Sequence, residues 1–70
     1  MNLEKFGSEI KQARQKKQLT QEKAAELVGI SRSHYAGIEG GRISPGSETL
    51  SLIGEKLEID LNVIKSDSDI

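Results

Sequence analysis

Seventy residues, 34% of them apolar, with one Phe, one Tyr and no Trp, make one small domain whose core must be Leu, Ile and Ala. No cysteine and a single histidine exclude a disulfide framework and an ordinary zinc site, and fit a reducing compartment. Net charge is −1 overall, but residues 1–42 hold eight Lys/Arg against five Glu (+3) and residues 43–70 hold two Lys against six acids (−4), an asymmetry that hints at polyanion binding.

Leu3, Phe6, Ile10 and Ala13 recur at spacings of three, four and three, which predicts a helix over about 3–17 with Lys16 and Lys17 at its negative pole. Thr20 is a natural N-cap for a second helix through Ala24, Ala25, Leu27 and Val28, stopped by Gly29. Ser31 caps a third helix over about Arg32–Glu39, with Tyr35 and Ile38 inward, and Gly40-Gly41 ends it. After the turn cluster Ser44-Pro45-Gly46-Ser47, a fourth helix carries Leu50, Ile53 and Leu57, and Gly54 within it calls for a packing reason. A fifth, short turn at about 61–64 adds Leu61 and Ile64. The expected architecture is an all-α, five-helix domain over residues 1–66 and a polar tail over 67–70. No apolar run reaches membrane-spanning length, and Met1–Gly7 lacks the apolar segment of a secretory signal, so the expectation is a cytoplasmic protein without a membrane partner.

The second and third helices are joined by a short turn with a glycine, Val28-Gly29-Ile30-Ser31, the arrangement of a helix-turn-helix. Such a pair lets the second helix stand out from the body and enter a major groove. Ile30, Tyr35 and Ile38 would anchor that helix from beneath, leaving Arg32, Ser33, Ala36 and Gly37 on its outer face.

Residues 20–45, TQEKAAELVGISRSHYAGIEGGRISP, resemble the helix-turn-helix of the phage repressor and Cro type, the XRE family. The carrying features are Gln21, Ala25, Gly29, Ser31, the run from Ile38-Glu39 to Arg42, and Pro45. The wider pattern runs from Leu3 to Leu57 without a gap. Ala24 stands where the family usually has Leu, Ser47 where an aliphatic residue is common, and Gly37 where a long polar side chain often points at DNA.

The resemblance implies a phage-repressor-like fold and a sequence-specific regulator of transcription, a repressor in kind, binding a double-stranded DNA operator as a homodimer. Arg32 and Ser33 would reach base edges, and Ala36 a thymine methyl. Gln21, Tyr35, Arg42 and Ser44, with backbone N–H groups near Gly40, would hold phosphates. Gly37 would read nothing, or let the backbone come close. Arg14 and Glu39 would pair and set the angle of the third helix. Leu61, Val63 and Ile64 would form the dimer contact.

Each residue also has a plainer reading: Gln21 as a good first-turn residue, Arg32 as a solvated charge, Tyr35 as core. A different class of function is a protein-interaction module, an antitoxin or anti-regulator whose helical body holds another protein, and the acidic half with its apolar end suits that. His34 has no partner at ligand spacing, so no metal or cofactor is expected. With no phosphate-cradling glycine loop and no nucleophile beside a base, the chain does not read as an enzyme.

Overall fold

The computed structural model describes residues 2–60. Within them the chain forms four helices: α1 (Leu3–Lys16), α2 (Gln21–Val28), α3 (Arg32–Glu39) and α4 (Ser47–Lys56). The helical turn expected at 61–64, the dimer residues Leu61, Val63 and Ile64, and the tail lie outside the described residues.

Three of the four helices begin at a side chain that replaces a missing intrahelical acceptor. Asn2 Oδ1 accepts from the Lys5 N–H at 3.0 Å, Thr20 Oγ1 from Lys23 at 3.1 Å, and Ser31 Oγ from His34 at 3.1 Å. The fourth starts at Gly46, which offers no side chain. Termination is equally local. Gly29 takes the left-handed conformation at φ 87°, so that its own N–H and that of Ile30 both return to the Ala25 carbonyl. Gln18 and Glu58 make the same left-handed turn, at φ 59° and 55°, without being glycine; Leu19 N–H then reaches the Arg14 carbonyl and Ile59 N–H the Gly54 carbonyl. A Lys17–Glu58 ion pair ties these two helix ends together.

Phe6 and Ile10 from α1, Ala24, Ala25 and Val28 from α2, Tyr35 and Ile38 from α3, and Ile53 with Leu57 from α4 and its end form one buried core. Leu19, Ile30 and Leu50 pack on its edge. The helix α3 lies against both α1 and α2, and α4 against α2. Small residues set the separations. Gly7, buried in the second turn of α1, approaches the end of α3 so closely that an added Cβ would collide with the Glu39 carbonyl oxygen and lie 2.9 Å from that of Ile38. A backbone carbonyl cannot swing aside as a side-chain tip can, so α1 and α3 would have to part.

Two substitutions test these local arguments. Gly7→Ala should destabilise the fold by about 1–3 kcal/mol despite the higher helix propensity of Ala. Gln18→Gly should stabilise it by about 1 kcal/mol by removing the cost of a left-handed non-glycine residue. Urea unfolding followed by circular dichroism checks both; a neutral Gly7→Ala would mean that the two helices separate without cost.

Candidate nucleic-acid interface

The orientation of α3 is fixed by one carboxylate. Glu39, the last residue of α3, has a side chain only 3% exposed, and it receives Arg14 from α1 in a two-pronged contact: Nε donates to Oε2 at 2.8 Å and Nη2 to Oε1 at 3.0 Å. The remaining terminal nitrogen, Nη1, donates to the Leu19 carbonyl at 2.8 Å, so the guanidinium also holds the chain between α1 and α2. Gln21, the first residue of α2, adds Nε2 to Glu39 Oε1 at 3.2 Å. One acid thus collects α1, α2 and the segment between them onto the end of α3. Only a planar fork delivers two parallel donors to a carboxylate while keeping a third for a carbonyl, which is why Arg and not Lys suits position 14.

The electrostatics follow from this geometry. Burial pushes the Glu39 carboxyl up, but the Arg14 hydrogen bonds, the nearby Tyr35 hydroxyl, the Gln21 amide and the Arg14 charge together hold it below the ordinary glutamate value. The hydrogen bond with Glu39 raises Arg14 in turn, so the guanidinium stays charged. Tyr35 is completely buried in the same cluster, and its hydroxyl lies beside Glu39 without a hydrogen bond of good geometry. Burial first, and the Glu39 carboxylate second, raise its pKa well above the usual phenol value.

The placement of Tyr35 corrects the expected phosphate contact: a hydroxyl sealed in the core reaches no ligand, and the residue serves packing. Gly40 needs a second correction. Its N–H donates to the Ala36 carbonyl at 2.9 Å, that of Gly41 to Ile38 at 3.1 Å, and those of Arg42 and Ile43 to Gly37 at 2.9 and 3.1 Å. These bonds close the end of α3 and leave no free backbone donor at Gly40 for a phosphate. A third concerns Gly37, which lies on the outer face but is buried there, because Ile43 folds over it.

Arg32 and Ser33, at the start of α3, are exposed, and Ala36 is half-buried. Arg32 makes no hydrogen bond or ion pair among the described residues, and neither does Arg42, whose guanidinium lies over Gly40. Ser44 is exposed on the loop that follows, and Gln21 is half-buried with one amide hydrogen still unused. The helix α3 differs from its neighbours in one respect. The first turns of α1, α2 and α4 carry Glu4, Glu22 and Glu48, the ordinary match to a positive helix end; that of α3 carries no acid and begins with Arg32.

Among the described residues no cluster of His, Cys, Asp or Glu could hold a metal ion, and no helix is long and apolar enough to cross a membrane. A groove of about 510 Å³ between α1 and residues 57–60, lined by Glu9, Ala13, Lys16, Leu57 and Ile59 among others, includes none of the α3 residues.

The Arg14–Glu39 contact has two measurable consequences. Removing one partner leaves the other charge buried, so Arg14→Ala should cost about 3–5 kcal/mol, and the double variant with Glu39→Ala should lose clearly less than the sum of the two singles. Because the folded pKa of Glu39 lies below its unfolded value, its contribution is present at neutral pH and is lost as pH falls through the folded value. Stability should therefore decline below about pH 4–5, and the decline should be shallower in Glu39→Gln. Chemical denaturation of the wild type and the four variants across pH checks both, and additive singles with unchanged acid profiles would reduce the contact to a surface ion pair.

A family model described as Helix-turn-helix matches residues 10–64 of the chain. The ImmF control region 10 kDa protein of Bacillus phage phi105 is 43% identical over 61 residues, covering 87% of this chain and 68% of that protein. The Immunity repressor protein of the same phage is 38% identical over 58 residues, 83% of this chain and 40% of that one. The uncharacterized HTH-type transcriptional regulator YqaE of Bacillus subtilis (strain 168) is 34% identical over 65 residues, 91% of this chain and 56% of its own length. The chain therefore spans about two thirds of the first relative, two fifths of the second and just over half of the third. No solved structure matches it significantly. The match over most of its length, with the helix-turn-helix formed by α2 and α3, makes this chain a member of the XRE family, the phage repressor and Cro type of helix-turn-helix domain.

Proposed function

We propose that this protein is a transcription regulator, a repressor in kind, that binds double-stranded DNA with α3 in the major groove and acts as a homodimer. The observation that carries the reading is the first turn of α3. A helix anchored at its C-terminal end presents, at the other end, an exposed Arg32 with no partner among the described residues and no acid in its first turn to answer the helix dipole. That combination is locally unfavourable and becomes favourable against a polyanion. The names carried by the relatives, a control region protein, an immunity repressor and a transcriptional regulator, support the same assignment.

Arg32 reads a base, with the O6 and N7 of guanine matching its fork, while Ser33 and Ala36 make the neighbouring base contacts. Arg42, Ser44 and the free amide hydrogen of Gln21 hold phosphates on either side of the groove. A single module of this size makes too few contacts to select a site in a genome, so two copies on half-sites about 34–36 Å apart supply the specificity. Leu61, Val63 and Ile64 are the residues through which the copies pair.

Binding to duplex DNA should weaken steeply with salt, by a log–log slope of about −0.9 per phosphate neutralised, in spite of the acidic pI of 5.8. Arg32→Ala should cost about 1–3 kcal/mol on the preferred sequence and relax selectivity at one base pair, whereas Arg42→Ala should weaken all sequences alike and flatten the salt slope. Fluorescence anisotropy on selected and scrambled duplexes checks this, and salt-independent binding would favour the protein-interaction reading instead. Sedimentation on a duplex with two half-sites should find two chains bound; one chain at saturation would overturn the dimer.

A further inference from the structure

The outer surface of α3 is not bare where its sequence is. Positions 33, 36, 37 and 40 share one face at helical spacing, and two of them are glycine. Gly37 is covered from the following loop, and the Arg42 side chain of that loop lies against Gly40, which stays exposed. The two N–H groups of Arg42 and Ile43 converge on the Gly37 carbonyl and turn the chain back over the helix. A Cβ at Gly37 would strike the end of the Ile43 side chain and lie 2.8 Å from its Cγ1, so Ile43 occupies the space where a side chain of residue 37 would begin. One turn on, a Cβ at Gly40 would lie 3.1 Å from the Arg42 guanidinium carbon. Ile43 remains 36% exposed, one of two large apolar residues of the described chain that stand out into solvent.

We propose that Ile43 is a specificity residue that reads the 5-methyl group of a thymine, standing in for the side chain that Gly37 lacks. This rests on the reading that α3 enters the major groove. In that groove the base edges display hydrogen-bond donors and acceptors, and the thymine methyl is the apolar exception. An aliphatic side chain set against any other edge would strip water from polar atoms and offer nothing in return. Arg32 and Ile43 then divide the helix, one reading guanine at its start and the other reading thymine beyond its middle.

The test uses the full chain and the duplex it selects from a random pool, with each thymine replaced in turn by deoxyuridine, which removes only the methyl. The wild type should lose about fourfold in affinity at one thymine of each half-site, the value of one buried methyl, and Ile43→Ala should bind the thymine and deoxyuridine forms equally there. A methyl effect that persists unchanged in Ile43→Ala belongs to Ala36 and overturns the assignment, as does a wild type indifferent to every methyl. Should Ile43→Ala unfold in a thermal melt, Ile43→Val keeps the branched shape, loses only the outermost carbon and should reduce the methyl effect in the same comparison. Failure of the wild type to select any sequence would strike the DNA-binding reading itself, a result distinct from selective binding in which Ile43 plays no part.

Discussion

The buried carboxylate of Glu39 is the point on which the arrangement of the helices depends. It sits at the C-terminal end of α3, where the helix dipole is negative and a second negative charge is unfavourable. An acid persists there only because the Arg14 fork, arriving from 25 residues earlier in the chain, neutralises it at close range. A core of short aliphatic side chains with one Phe and one Tyr has few ways to distinguish one helix angle from another. A directional, two-pronged contact supplies that distinction, and Gln21 extends it to the start of α2.

Close backbone approach is the second constraint, and it works with the first. Gly7 brings α1 against the last carbonyls of α3, next to the residue that Arg14 grips about two turns further along the same helix. The glycine sets the distance and the ion pair sets the rotation. At the other side of α3 the loop closes on Gly37, with backbone donors from four successive residues returned to the helix. The helix α3 is therefore held along its inner side and at its end, and left open at its first turn.

Helix boundaries were legible in the sequence because they rest on local chemistry: Thr20, Ser31, Gly29 and the Gly40-Gly41 pair act within a few residues of themselves. The Arg14 and Glu39 contact was legible only through resemblance, since nothing in a 25-residue separation marks two charges as partners. The misplacements share a cause. Period and spacing assign a residue to a helix face but do not reveal what else covers that face, so they point Gly37 outward although Ile43 lies on it. The resemblance implies a phosphate contact for the Tyr35 hydroxyl, whereas helix packing closes it off. The resemblance likewise implies free N–H groups near Gly40, which the end of α3 already uses. Gly7 and Gly37 did carry a signal. Each is a glycine inside a helix, where the residue costs about 0.5–1 kcal/mol relative to Ala and so asks for a neighbour that needs the room.

The open first turn of α3 has a consequence for how this protein can change over evolutionary time. Most substitutions in a domain this small erode a thin stability margin, which limits how many can accumulate. Arg32 and Ser33 lie outside that restriction, being exposed, with Arg32 bonded to nothing among the described residues, while the N-cap that starts their helix belongs to Ser31. New side chains at these two positions can be sampled while the frame stays folded. Substitution there changes what this end of α3 presents to a partner while the folding frame stays intact, so the surface and the frame are free to evolve separately.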